Sequence, residues 1–296
     1  MEVNGIGAAV TGGGNGIGRA IALALGRAGA KVAVGDLELN AAEAVAAELR
    51  ERGGEAIAVS LDVTDEASVS DFADAAWAAF GSVQLLVNNA GVMSPVSPLA
   101  DMTEDDYAWV FSVNVGGVLR GVRTFVPRFV QAGEPAHILN TGSEHSLGVP
   151  HVGGGLYTAS KHAVIGLSDV LRAELPAHIG VSVLCPGLVG STLWKASERR
   201  PDALGGPSQA SEMAGEFMNH MGMSAEEVAE KAVAGVRRGD FLIPTHAHSV
   251  KFAAKRWREI ESAFQAYAPH YDGDEKFDLT QIMAGQLHAQ SQESSA

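Results

Sequence analysis

A single cysteine, Cys185, stands among 296 residues. The chain can therefore form no internal disulfide and no thiolate metal cluster, and a reducing compartment, the cytoplasm, is the expected setting. Basic residues are scarce as well: 21 Lys and Arg face 35 Asp and Glu, for a formal charge of −14. So acidic a surface repels phosphate backbones and anionic lipid, which argues against nucleic-acid and membrane partners. No uninterrupted apolar run reaches the roughly 18 residues that a membrane-crossing helix needs. Met1–Gly5 lacks the basic-then-apolar order of a secretory leader, so none is expected. Repeats and low-complexity tracts are missing too. What remains is 46% apolar and 19% charged, enough to bury a full core. The 35 glycines are many, and their placement carries most of the functional reading.

Short apolar runs alternate with Ala-rich amphipathic segments. Strands are expected at Ile6–Thr11, Lys31–Gly35, Glu55–Leu61, Leu85–Val87, Ala136–Asn140, Val181–Cys185 and Phe241–Pro244. Helices are expected over Gly16–Ala28, Asn40–Arg52, Glu66–Phe80, Thr103–Phe129, Leu156–Leu175 and Ser224–Arg237. Strands without internal alternation, separated by helices, predict a seven-stranded parallel sheet covered on both faces. That is an α/β, doubly wound, Rossmann-like fold. It is expected to form one domain over residues 1–245, followed by a C-terminal helical extension over 246–296. Val250, Ala253, Trp257, Ile260, Phe264 and Tyr267 recur at helical steps in that extension.

Thr11-Gly12-Gly13-Gly14-Asn15-Gly16-Ile17-Gly18 follows the first strand and opens the first helix. Glycine suits a sharp turn whose backbone must approach a pyrophosphate, while the helix N-terminus offers free N–H groups to it. Asp36 ends the second strand. Its carboxylate can accept from adenosine ribose hydroxyls and would repel a 2′-phosphate, or it can cap the next helix. Leu37 follows, with no Arg or Lys beside it, so NAD is expected over NADP. Asp62-Val63 and Asn88-Asn89-Ala90-Gly91 end the next two strands, at the edge where open α/β sheets bind ligands. Asp62 is placed to bond the adenine amino group, and Ala90 and Gly91 to leave room for ribose.

Tyr157 and Lys161 share one helix face at a spacing of four. A phenol near an ammonium can exchange protons with an alcohol, although this pairing is also common on surfaces. Ser143, just beyond the fifth strand, either donates to a substrate oxygen or caps a turn. Asn114 is a polar residue inside an apolar helix and needs a buried partner.

Over roughly residues 5–245 the chain resembles the short-chain dehydrogenase/reductase family. The resemblance is carried by Thr11-Gly12-x-x-x-Gly16-x-Gly18, Asn88-Asn89-Ala90-Gly91, Asn114, Ser143, Tyr157-x-x-x-Lys161 and Pro186-Gly187. It implies hydride exchange between a nicotinamide and an alcohol or carbonyl. Carried over, Tyr157 is the acid/base and Ser143 polarises the substrate oxygen. Lys161 lowers the Tyr157 pKa and bonds the nicotinamide ribose, and Asn114 holds a water of the proton relay. Pro186 and Gly187 shape the nicotinamide pocket, with Val189 and Thr192 as candidates for its carboxamide. The cofactor contacts expected in all are Gly12, Asn15, Gly16, Ile17, Gly18, Asp36, Leu37, Asp62, Val63, Asn89, Ala90, Gly91, Tyr157, Lys161, Pro186, Gly187, Val189 and Thr192. The chain departs from the family where Ser191 stands in place of a frequent Thr, and in the tail beyond Thr245. The two longest helices resemble the family's subunit-contact helices, implying a homodimer or homotetramer.

Residues 191–223, rich in Gly, Pro, Ser and Met, are expected to form a substrate lid. Leu193, Trp194 and Met218 from that lid, with Glu144 and His145, are candidate contacts for a bulky apolar or aromatic alcohol; ordinary packing and a solvated loop are the alternatives. His246 and His248 have ligand-like spacing without an accompanying acid, so no metal is expected. The expected function is NAD-dependent interconversion of a secondary alcohol and a ketone. The alternatives are an NADPH-dependent biosynthetic ketoreductase and, in another class, a non-catalytic dinucleotide sensor or scaffold.

Overall fold

Strand β1 (Gly7–Thr11) is buried at every position, as a strand covered on both faces must be. The same holds for β4 (Leu85–Asn88) and β5 (Ala136–Thr141), and nearly so for β2 (Lys31–Asp36) and β6 (Ile179–Cys185). With β3 (Ala56–Ser60) and β7 (Leu242–Pro244) they form one seven-stranded sheet, ordered β3-β2-β1-β4-β5-β6-β7. Every pairing in it is parallel. The computed structural model describes residues 1–279 and 282. It separates Met1–Ser249, which holds the sheet, from a second unit beginning at Val250.

Helices α1 (Gly16–Arg27), α2 (Leu39–Glu51) and α8 (Ala225–Arg238) close one face of the sheet around Ile21, Leu25, Val45, Leu49 and Val228. On the other face, α3 (Glu66–Phe80) and α5 (Gly117–Ala132) bury Phe72, Phe125 and Phe129. Helix α6 (Gly155–Glu174) lies beside them, with Val164 packed on Val183 and Cys185. The Cys185 thiol is buried and free. Burial pushes its pKa up to about 12, so it packs as a small apolar group. In the second unit, α9 (Val250–Tyr267) carries the apolar stripe seen in the sequence.

One expectation is corrected. The long helix over Thr103–Phe129 is instead α4 (Glu104–Phe111), a π turn (Ser112–Gly116) and α5. Thr103 and Asp106 start α4 with a reciprocal capping box. The wide turn then inserts one residue, and this turns Asn114 inward. Residues 191–223 hold 3₁₀ turns at Leu193–Arg199 and Asp202–Leu204, then α7 (Glu212–Met221).

The strand order places β3 and β4, successive in sequence, on opposite sides of β1. Chain connections diverge there, so the carboxyl ends of β1 and β4 border an open crevice.

Candidate active site

At the end of β1 the chain reverses into α1 within four residues. Gly12 and Gly16 achieve this at φ of +61° and +52°, a region that side-chain-bearing residues rarely adopt. A Cβ on Gly12 would lie 2.8 Å from the Ala90 backbone, and one on Gly18 would collide with the Gly12 carbonyl. The Thr11 hydroxyl accepts from the Asn89 and Ala90 N–H groups at 3.0 and 3.1 Å. The Asn89 amide donates to the Thr11 and Gly12 carbonyls at 3.2 and 3.1 Å. Asn89 thus braces the glycine turn. Asp36 also shapes it: its carboxylate accepts from Gly14 N–H at 2.8 Å and from Glu38 N–H at 3.1 Å. Asp62 accepts from the Thr64 N–H and hydroxyl at 2.8 and 2.7 Å.

A cleft of about 540 Å³ runs along this sheet edge. Gly12, Asn15, Gly16, Ile17, Asp36, Leu37, Asp62, Val63, Asn89, Ala90 and Gly91 line one end. Ser143, Tyr157, Lys161, Pro186, Gly187, Val189 and Thr192 line the other. Gly18 and Asn114 lie outside the lining. The wall fits a dinucleotide: glycine removes the Cβ atoms that would fill the cradle, and the N-terminus of α1 opens onto it with free N–H groups. Leu37, half exposed, offers an apolar surface beside Asp36. No basic residue follows Asp36, yet the 3₁₀ turn Leu193–Arg199 brings Arg199 to Glu38 at 3.3 Å, a cation at this end that spacing alone did not disclose.

Tyr157 sits in the first turn of α6, with Lys161 one turn on. Lys161 Nζ donates to the Thr141 carbonyl at 2.8 Å and lies 5.7 Å from the Tyr157 ring centre. The Ser143 hydroxyl is hydrogen-bonded to the Tyr157 phenol. Asn114, 1% exposed, accepts from Val92 N–H at 2.8 Å and donates to Val92 O and Ser160 Oγ at 2.9 and 3.0 Å. Ser160 in turn donates to the Tyr157 carbonyl at 2.7 Å. Burial pushes the Tyr157 phenol up to about 12; the Ser143 bond opposes this and the Glu144 charge adds to it. Burial also pushes Lys161 down to about 8. In this state burial raises the phenol, where the resemblance implied a lysine lowering it.

The candidate substrate contacts divide. Glu144, His145, Leu193 and Met218 line the cleft, whereas Trp194 is turned onto Gly215 of α7. His145 stacks on His151 with centroids 4.7 Å apart, and both stand edge-on to Tyr157. Burial, then His145, lowers the His151 pKa. Glu144 is buried: its N–H donates to Pro186 O at 2.8 Å, and its Oε2 lies 3.0 Å from His248 Nε2. That contact has ion-pair distance without hydrogen-bond geometry. His246 accepts from Gly187 N–H at Nδ1 (3.0 Å), and its Nε2 lies 3.0 Å from Leu188 O. It therefore clamps the turn after Pro186. Histidines 246 and 248 act as turn clamp and ion-pair partner, and no group of three potential metal ligands exists among the described residues.

Residues 7–202 match the family profile described as short chain dehydrogenase. The 1-deoxy-11-beta-hydroxypentalenate dehydrogenase of Streptomyces avermitilis is 34% identical, over 86% of this chain and 94% of that protein. The C alpha-dehydrogenase of a Sphingobium species is 34% identical, over 79% of each chain. A crystal structure of a short chain dehydrogenase/reductase from Burkholderia phymatum, in complex with NAD, superposes with a TM-score of 0.83 at 36% identity. It covers 88% of this chain and 96% of the other.

Proposed function

This chain belongs to the short-chain dehydrogenase/reductase family, and from that premise we propose that it oxidises a bulky, apolar secondary alcohol to its ketone with NAD+, using Tyr157 as the acid/base. The observation that carries the reading is the junction of Ser143, Tyr157 and Lys161 on one wall of a cleft whose other end is a glycine cradle. The glycine turn and the α1 N-terminus hold the pyrophosphate, and Asp36 holds the adenosine ribose. The bound nicotinamide supplies the hydride acceptor. Ser143 orients the substrate oxygen against the Tyr157 oxygen, which as the phenolate takes the alcohol proton and becomes the phenol. Lys161, with Asn114 behind it, carries that proton onward. Buried in the free protein, the phenol resists ionisation; the positive charge of a bound oxidised ring would favour the phenolate.

Val92, Met93, Trp109, Leu193, Leu204 and Met218 make the substrate end apolar, which supports a bulky hydrophobic alcohol. The relatives named as dehydrogenases of a hydroxypentalenate and of a Cα position accord with such a substrate. Tyr157→Phe should abolish turnover of an aryl, terpenoid and steroid alcohol panel, read as NADH absorbance, with NAD binding retained. Activity surviving in that variant refutes the assignment.

Arg199 favours a second reading, an NADPH-dependent ketoreductase, if its guanidinium leaves Glu38 for a 2′-phosphate. The ratio of kcat/KM for NAD and NADP separates the two. Half-exposed Leu119, Val130 and Val170 on α5 and α6 fit a homodimer or homotetramer, to be read by light scattering. No helix among the described residues is long and apolar enough to cross a membrane, and the free buried thiol fits a cytoplasmic enzyme.

A further inference from the structure

Glu144 is a buried carboxylate that alcohol oxidation, as derived above, does not use. It directly follows Ser143, is 8% exposed and faces the cleft. Its Oε2 abuts Gly187 so closely that a Cβ there would lie 2.7 Å away. That oxygen accepts no hydrogen bond among the described residues. Its neighbours neutralise it incompletely. His248 contributes a half-exposed imidazole from the segment after β7. His246, packed on the other side of Gly187, is engaged at Nδ1 by the Gly187 N–H and at Nε2 with the Leu188 carbonyl. Lys161 is committed to the Thr141 carbonyl. A charge buried with so little compensation is costly to keep, and the protein gains from it only where a positive group comes to rest nearby.

We propose that Glu144 discriminates between the redox states of the nicotinamide, its carboxylate behind the Pro186–Gly187 wall favouring the cationic ring of NAD+ over the neutral ring of NADH. The inference rests on the dinucleotide reading of the cleft. Oxidation of the alcohol gives ketone, NADH and one proton, so the ring loses its positive charge as hydride arrives. A fixed negative charge behind the wall therefore tightens NAD+ relative to NADH and makes the bound couple more reducing than the free one. The solution equilibrium between alcohol and ketone is untouched.

Dissociation constants decide it, from NADH fluorescence titration and NAD+ displacement on the intact protein. Glu144→Gln keeps the shape and removes the charge, and should raise Kd(NAD+)/Kd(NADH) by about three- to tenfold, the size expected of one charge at intermediate dielectric. Glu144→Asp, with the charge restored, should return the ratio towards wild type. His248→Arg sets a permanent cation against Glu144 from a half-exposed position and should shift the ratio in the same direction as Glu144→Gln. Should the Gln variant fail to fold, the Arg variant still tests the charge. A ratio unchanged in variants that bind NADH normally overturns the proposal. Failure of the wild type to bind either nucleotide overturns the dinucleotide reading itself.

Discussion

Asp36 shows how one residue can serve turn and ligand together. One carboxylate oxygen takes the Gly14 N–H and the other the Glu38 N–H, so the acid proposed to hold the ribose also fixes the glycine turn. Removing the whole side chain would confound these roles. Asp36→Asn keeps an acceptor and deletes the charge, and it should cut the preference for NAD over NADP by about tenfold, roughly 1.4 kcal/mol. Relative kcat/KM values for the two nucleotides check this, and an unaltered preference would remove Asp36 as the discriminator. Lys161 makes a second prediction at this scale. With its pKa pushed down to about 8 by burial, its ammonium is lost within the accessible alkaline range. NAD+ affinity should hold below pH 8 and weaken above it, as the ammonium proposed to hold the ribose becomes a neutral amine and a weaker donor. Titrations from pH 7 to 9 would show this, and Lys161→Arg should flatten the curve because its charge persists.

At the scale of elements, the Leu193–Leu204 segment is held at two points by adjacent arginines. Arg199 reaches Glu38 across the cleft, and Arg200 meets Asp106 of α4 at 2.6 Å with both side chains nearly buried. Burial alone would push the Asp106 carboxyl up, but its bonds from Thr103 and Arg200 outweigh this and hold it below the usual range. Arg200 also covers the Trp109 ring at 5.3 Å. Arg200→Ala should free the Leu193–Leu204 segment and leave a buried acid unpaired, costing about 3 kcal/mol of stability. KM for the alcohol should rise several-fold with Kd for NAD nearly constant. Equal loss of both would mean that the segment belongs to the cofactor site instead. These elements also mark where sequence reading stopped. The glycine turn and the Tyr157–Lys161 face were legible because their partners lie within one or two helical turns. The sheet was legible because unbroken apolar strands require cover on both faces. The π turn was hidden, since its hydrophobic spacing passes for continuous helix. The placements of Arg199 on Glu38, His246 on Gly187 and His248 on Glu144 join residues 59 to 161 positions apart, pairings that only the folded sheet edge creates.

For the whole molecule, an acidic chain that holds an anionic dinucleotide does so with backbone N–H groups, so acidity and cofactor binding are compatible. Its response to acid is expected to draw on a buried imidazole that ties strands together. His137 on β5 is 3% exposed, with Nε2 2.7 Å from Ser182 Oγ on β6. Ser182 in turn donates to the Asp240 carbonyl at 2.5 Å, so its hydroxyl is free to accept, and the imidazole donates. Burial, with the N-terminal charge adding to it, pushes His137 from its ordinary 6.5 down to about 4. A folded pKa below the unfolded one means stability that is complete above pH 6.5 and drains away as the pH falls towards 4. The most this one group can withdraw is about 3 kcal/mol, from 1.36 kcal/mol per unit. Protonating the excess carboxylates over the same range relieves self-repulsion and acts in the opposite direction, so the raw pH profile mixes two slopes. The difference between wild type and His137→Gln isolates one of them. The wild-type stability advantage, read from urea midpoints, should shrink as the pH is lowered from 7 to 4; an advantage constant across that range would show that His137 is not the group that titrates.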